Sequence, residues 1–111
     1  MGARSTRSQI VAVLVTCPNR RVAETVGQAA VEERLAACAN IIPGLTSIYR
    51  WEGELCRDRE VLVIMKTRRP HFQALARRVR ALHPYSVPEI IALPVAVGSP
   101  AYLNWVAEST A

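Results

Sequence analysis

One dipeptide near the middle of the chain constrains the fold more than any other feature. Glu52-Gly53 sits between two long extended runs, and glycine supplies the positive φ that a two-residue hairpin turn requires. Residues 38–42 and 45–51 are β-type before the turn, and 54–67 (ELCRDREVLVIMKT) returns after it. Pro43-Gly44 interrupts the first arm without ending it. Proline cannot donate to a ladder, so the pair marks a bulge or kink inside one strand that lies at a sheet edge. A chain of 111 residues, half of them apolar, has material for one hydrophobic core. A hairpin with arms of more than a dozen residues outgrows a domain of that size.

The rest of the chain supplies the partners of this hairpin. Residues 9–16 (QIVAVLVT) form a short β-branched run that Cys17-Pro18-Asn19 stops. Asn19 suits a helix N-cap, and from Arg20 to about Ala37 the residues Val22, Val26, Ala29, Ala30 and Leu35 recur at helical spacing. After the hairpin, Pro70 opens a second helix with Phe72, Leu75, Ala76, Val79 and Leu82 on its apolar stripe, and His83-Pro84 ends it. Residues 89–97 read as a last strand, with Pro94 again arguing for an edge. Ser99-Pro100 opens a short C-terminal helix whose apolar side carries Tyr102, Leu103 and Val106. The order β-α-β-β-α-β plus a helix is the α+β ferredoxin-like split arrangement. Its antiparallel sheet, ordered 4-1-3-2, leaves the two proline-bearing strands at the edges. The expected organisation is a disordered lead-in at 1–8, one domain at 9–108 and a tail at 109–111. Leu45, Ile48, Tyr49 and Trp51 on the overhanging hairpin have little to cover them within one subunit, so an obligate oligomer follows.

Composition excludes several classes. Three cysteines without CxxC or CxxxC spacing suggest neither a disulfide framework nor a closed zinc site. The longest apolar runs, 10–15 and 90–97, fall far short of the roughly 20 residues that span a bilayer. No apolar leader with a cleavage site follows the N-terminus, so the cytoplasm is the expected location and a membrane partner is not expected. The charge of +5 comes from thirteen arginines and one lysine. Arg20 and Arg21, Arg57 and Arg59, Arg68 and Arg69, and Arg77, Arg78 and Arg80 fall on four separate segments without interleaved aromatics, which argues against a nucleic-acid footprint.

The runs RLAACANIIPGLTSIYRWEGEL (34–55), EVLVIMKT (60–67), HPYSVPEIIALPV (83–95) and YLNW (102–105) together resemble the CutA family, in register over essentially all of 9–106. The resemblance implies a trimer related in architecture to the PII signalling proteins, with three hairpins pairing about the three-fold axis. It also implies a role in tolerance of, or response to, divalent cations, copper above all. Two departures stand out. The family commonly follows HPY with Glu or Asp where this chain has Ser86, which removes a possible ligand. It commonly follows LAAC with Val where this chain has Ala39.

Cys17, in the turn where the first strand meets a helix N-terminus, is in a place that favours thiolate. The topology puts Cys17, His83, Tyr85 and Glu89 on one rim, and Cys17, His83 and Glu89 are the expected set for Cu²⁺ or another divalent cation. The bland alternative is a buried turn cysteine, a helix-capping histidine and a glutamate that caps or pairs with an arginine. Tyr49, Trp51, Tyr85 and Trp105 are expected to pack between subunits. Lys66 and Thr67 form a possible anion contact, although no Gly-rich loop accompanies them. Cys38 is expected to be buried, Cys56 to be incidental and His71 to face solvent. No Ser/His/Asp order, HExxH motif or paired acid/base carboxylates accompany Cys17 and His83, so no enzyme and no organic cofactor are expected. Three readings remain open: a trimeric copper-binding or sensing protein, a PII-like adaptor for a small ligand and an unknown protein partner, and a purely structural, very stable trimer whose cation phenotype is indirect.

Overall fold

The computed structural model describes residues 10–111; the expected lead-in at 1–8 lies outside the described residues. Eight segments follow one another: β1 (Ile10–Cys17), α1 (Arg20–Glu32), β2 (Cys38–Trp51), β3 (Glu54–Arg68), a 3₁₀ turn (Arg69–His71), α2 (Phe72–Leu82), β4 (Ile90–Pro94) and α3 (Pro100–Ser109). The strands form one antiparallel sheet in the order β2-β3-β1-β4, so both proline-bearing strands are edges, as expected. The register runs from Ile10 opposite Arg68 to Cys17 opposite Val61.

Period-two alternation sorts the sheet into two faces. Val11, Val13, Val15 and Cys17 of β1 and Val61, Val63 and Met65 of β3 point to one side, where Ala23, Val26 and Ala30 of α1 and Leu75 and Val79 of α2 close the core. Each of the larger side chains buried there stabilises the fold by about 1.5–3 kcal/mol relative to an exposed position. The opposite face has no such cover from α1 and α2. Ile42, Ile91 and Leu93 on it are close to half exposed, and they line up by register with Leu62, Leu14 and Ala12.

The hairpin turn is as the sequence implies: Glu52 and Gly53 both take positive φ, 49° and 83°, the pattern of a turn whose twist matches the strands. Pro43-Gly44 produces a bulge between Ile42 and Leu45, with Gly44 at a φ of 85°. Asn19 caps α1 by accepting from the Val22 N–H at 2.9 Å.

Three expectations need correction. Helix α1 stops at Glu32 instead of running to about Ala37. Arg34 turns into the left-handed region with φ of 60°, and the N–H groups of Leu35 and Ala36 both return to the Ala30 carbonyl. Leu35 therefore meets the core from a turn; the reversal lets Ala37 N–H donate to Lys66 O at 2.8 Å and start the β2 pairing. Strand β4 is Ile90–Pro94, shorter than 89–97; Pro94 has no N–H to extend the ladder, and the segment gains one more bond, from Val95 N–H to Ile10 O. At the C-terminus, α3 continues through Ser109 and Thr110 is buried. Arg68 donates to Thr110 Oγ1 at 3.1 Å and to its carbonyl at 2.7 Å, and His71 Nε2 reaches the same carbonyl. His71 thus faces the chain end, where solvent was expected.

Candidate functional site

The bulge decides which side chains meet at the base of the hairpin. Ile42 opposes Leu62 before it and Leu45 opposes Glu60 after it, so β2 holds one extra residue. Side chains alternate, and one inserted residue exchanges the faces of everything beyond it. Tyr49 and Trp51 are thereby brought to the face that carries Glu60, Leu62 and, across the sheet on β1, Thr16.

At that junction lies an open cavity of about 540 Å³ bounded by the hairpin, the end of β1 and the segment after α2. Its walls include Thr16, Tyr49, Trp51, Glu60, Tyr85 and Glu89. Glu60 is only 8% exposed. Tyr85 donates its hydroxyl to Glu60 Oε2 at 2.8 Å, and Tyr49 donates to Asp58. Burial first, and then the bond to Glu60, pushes the Tyr85 hydroxyl well above its ordinary pKa. The bond to Asp58 is the main cause that raises Tyr49 to about 12. Both phenols therefore keep their protons and direct them at carboxylates.

The expected residues divide into two groups. Tyr85 and Glu89 both line the cavity, together with Thr16 of β1. Cys17 is fully buried, with its thiol pushed up to about 11 by desolvation and secondarily by the Glu60 charge. The thiolate expected from the helix N-terminus is overturned: position 17 continues the inward alternation of β1, and burial outweighs the helix dipole. His83 is buried beneath the rim. Its Nδ1 accepts from Tyr85 N–H at 3.2 Å, so Nε2 carries the proton donated to Thr16 O at 2.8 Å. As folded, a protonated thiol and a doubly hydrogen-bonded imidazole are not a ready ligand set for copper. Among the described residues of one chain, no group of three or more His, Cys, Asp or Glu side chains is placed to hold a metal ion.

Lys66 donates to Asn40 Oδ1, and Thr67 is buried with its hydroxyl on Leu35 O at 2.7 Å, so this pair joins β3 to its neighbours. Cys38, expected to be buried, is partly exposed with its sulfur 3.6 Å from Tyr102 Oη. Trp51, Trp105 and Tyr49 are each about two-fifths exposed, and Tyr85 slightly less. Glu60 is the residue that sequence reasoning missed. Its neighbours Arg57, Asp58 and Arg59 make it look like part of a solvated charge run, yet counting alternation across the Pro43-Gly44 bulge would have placed it opposite Leu45 on the aromatic face.

Fold and site together define a ferredoxin-like α+β protein with an overhanging hairpin and a ligand-sized cavity at its base. The family profile described as CutA1 divalent ion tolerance protein matches residues 11–109. The chain belongs to that family. It is 58% identical over 98 residues to the divalent-cation tolerance protein CutA of Thermus thermophilus, covering 88% of this chain and 95% of that one. It is 52% identical over 101 residues to protein CutA of Mus musculus, covering 91% of this chain and 57% of the mouse protein; the chain thus spans little more than half of that relative. The solved structure of the Thermus thermophilus divalent cation tolerance protein superposes with a TM-score of 0.90 at 56% identity, over 92% of this chain and 99% of the other.

Proposed function

We propose that the protein acts in the cytoplasm as a homotrimer that responds to divalent cations, copper first among them, and that it has no catalytic turnover of its own. The observation that carries the trimer is the uncovered apolar surface. Ile42, Ile91 and Leu93 on the open sheet face and Ile48, Trp51 and Leu55 on the hairpin are all exposed, in a molecule that reaches 49 Å along its long axis and only 25 and 23 Å across. An apolar face joined to an overhanging hairpin favours covering by further copies of the chain. Trp51→Glu places a charge on that surface, and light scattering should then report monomer mass; a retained trimer would count against the hairpin as its centre.

Membership of a divalent-cation tolerance family supports the cation role; the location offered for it is Glu89 on the cavity rim with the buried His83 and Cys17. Copper there would have to displace the Cys17 proton and release His83 from Thr16, so affinity should rise with pH. Calorimetric titration with CuCl₂ on wild type, Cys17→Ser and His83→Ala tests the site, and identical affinities in all three would remove it.

A second reading, a PII-like adaptor that holds a small ligand, is favoured by a specific observation. The cavity lining combines aromatic and apolar side chains, Ile48, Trp51 and Val87 among them, with the carboxylates Glu60 and Glu89. A bare metal ion has no use for the aromatic part. Thermal-shift screening against nucleotides, carboxylates and amines tests this reading, because a ligand that binds only the folded form raises the melting temperature.

A further inference from the structure

We propose that the outer face of α2 is a docking surface for a short acidic segment of a partner protein, held by the guanidinium groups of Arg69, Arg77 and Arg80. The inference needs neither the cation reading nor the small-ligand reading above. It also uses a part of the molecule outside the surfaces assigned to the trimer, because α2 lies on the helix layer, across the sheet from the open face.

Charge is distributed unevenly along the chain. Residues 61–88 hold six of the fourteen Lys and Arg residues and none of the nine Asp and Glu residues. The remainder carries eight cationic residues against nine acidic ones, so the net charge of +5 arises in this one stretch. Three of its six cations are engaged within the subunit: Lys66 on Asn40, Arg68 on Thr110 and Arg78 on Glu33. Arg69, Arg77 and Arg80 are exposed, and the ion pairs among the described residues, Arg20–Glu24 and Arg78–Glu33, do not involve them. Residues 1–9 contain no Asp or Glu that would neutralise them.

Placement turns these three charges into one stripe. Arg69 and Gln73 line one groove at the start of α2, and Arg77 and Arg80 follow Gln73 at helical spacing, while Phe72, Leu75, Val79 and Leu82 turn to the core. The stability of the helix does not ask for this stripe. Arg80 suits the negative end of the helix dipole, but Arg69 stands at the positive end, and Arg77 and Arg80 are three residues apart, where like charges repel. On α1 the ordinary arrangement holds: Arg20 pairs with Glu24 one turn on. From residue 69 to residue 80 the helical rise gives a stripe of about 16 Å, the length of about five residues of extended chain, with side chains on one side about every 7 Å. Guanidinium groups suit that partner, because each takes a carboxylate through two parallel hydrogen bonds. The same face lacks what other polyanions need. A helix that lies on a membrane adds an apolar side that enters the lipid, and that side of α2 faces the core. Single-stranded nucleic acid is held by stacking aromatics, and residues 73–81 include none.

The test is fluorescence anisotropy of a labelled hexaglutamate peptide titrated with the full chain, in its native assembly, at about 0.1 M salt, where charges more than about 10 Å apart are screened. Hexaglutamate should bind, and hexaglutamine with the same label should not. Arg77→Gln/Arg80→Gln should weaken binding about tenfold, the scale of two exposed charge contacts, and Arg69→Gln about threefold. Arg20→Gln/Arg21→Gln removes the same net charge from α1 and should change the affinity by less than about twofold, which separates this face from the charge of the molecule as a whole. All of these side chains are exposed, so circular dichroism and light scattering should match wild type in every variant. Absence of hexaglutamate binding overturns the proposal, and so does an equal loss in the two double variants. Tighter binding of a hexathymidylate oligonucleotide, or binding to phosphatidylserine vesicles that hexaglutamate does not compete, overturns it as well and reassigns the face to nucleic acid or to lipid.

Discussion

The base of the sheet and the far half of its hairpin are made from the same kind of sequence and come to opposite ends. In β1 and the second half of β3, alternating Val13, Val15, Val63 and Met65 have no exposed surface, because α1 and α2 cover them from within the chain. Above the bulge, Tyr49, Trp51 and Leu55 also belong to a regular ladder, but they are exposed by 39%, 45% and 73%. The ladder hydrogen bonds are satisfied in both halves. What differs is the second layer, and the difference shows that strand formation and burial are separate achievements. One half is completed by its own helices, whereas the other needs a partner.

The largest effect should come from deleting Gly44. Removing one residue from β2 makes the ladder continuous between Ile42 and Leu45, so that Leu45 still opposes Glu60 and residues 45–51 keep their faces, while the bend and added twist of the bulge are lost. Tyr49 and Trp51 would stay on the side that carries Glu60, on a hairpin that leaves the sheet at a different angle. Far-ultraviolet circular dichroism should still report a folded sheet, because the base core does not involve the bulge, while light scattering should show loss of the proposed trimer. A deletion variant that keeps the trimer would mean that the bulge does not aim the hairpin.

This contrast also explains how far the sequence could be read. Strand order, edge strands, turn and bulge were all legible because each rests on a local rule: period-two runs, prolines without an N–H, a glycine at positive φ. The end of α1 was not, since Leu35 keeps helical spacing and nothing local announces that Arg34 will turn left-handed. The site was half legible. Tyr85 and Glu89 both line the cavity, but the chemistry of Cys17 was inverted because its helix-terminal position was weighed above its parity with Val11, Val13 and Val15. Glu60 required two facts that act together, the bulge and the burial of its strand.

A smaller effect separates the halves by pH. Cys17 belongs to the base core, and its thiol stands at about 11 against an ordinary value of 9.0. A raised acid pKa means that the folded chain holds the proton after the unfolded chain has lost it. The stabilisation is therefore complete below pH 9 and declines as pH climbs from about 9 to 11, by on the order of 2 kcal/mol. Tyr85 and Tyr49 act in the same direction at still higher pH, so the Cys17 share must be isolated by difference. Urea unfolding of wild type and Cys17→Ala at pH 8 and pH 11 does so: the stability gap between them should move by that amount in favour of the variant. A gap independent of pH would mean that Cys17 ionises as freely in the folded chain as in the unfolded one.

The smallest effect concerns the chain end, which sides with the base although it lies far from it in sequence. Leu103 and Val106 of α3 join Ile10 and Ala37 in a second, smaller cluster, and Arg68, the last residue of β3, bonds to Thr110 through two of its nitrogens. Thr110 keeps its own hydroxyl on Val106 O at 2.9 Å, so Arg68→Ala removes the tie to the sheet and leaves the helix end intact. The loss should be about 1–2 kcal/mol. It should also be local: amide exchange should quicken over residues 103–111 while Val13, Val63 and Leu75 stay protected. Faster exchange through the whole base core would show instead that α3 is part of the cooperative unit. The boundary between self-sufficient and partner-dependent structure would then fall at the bulge alone, with every other segment, to the last turn, folded as one.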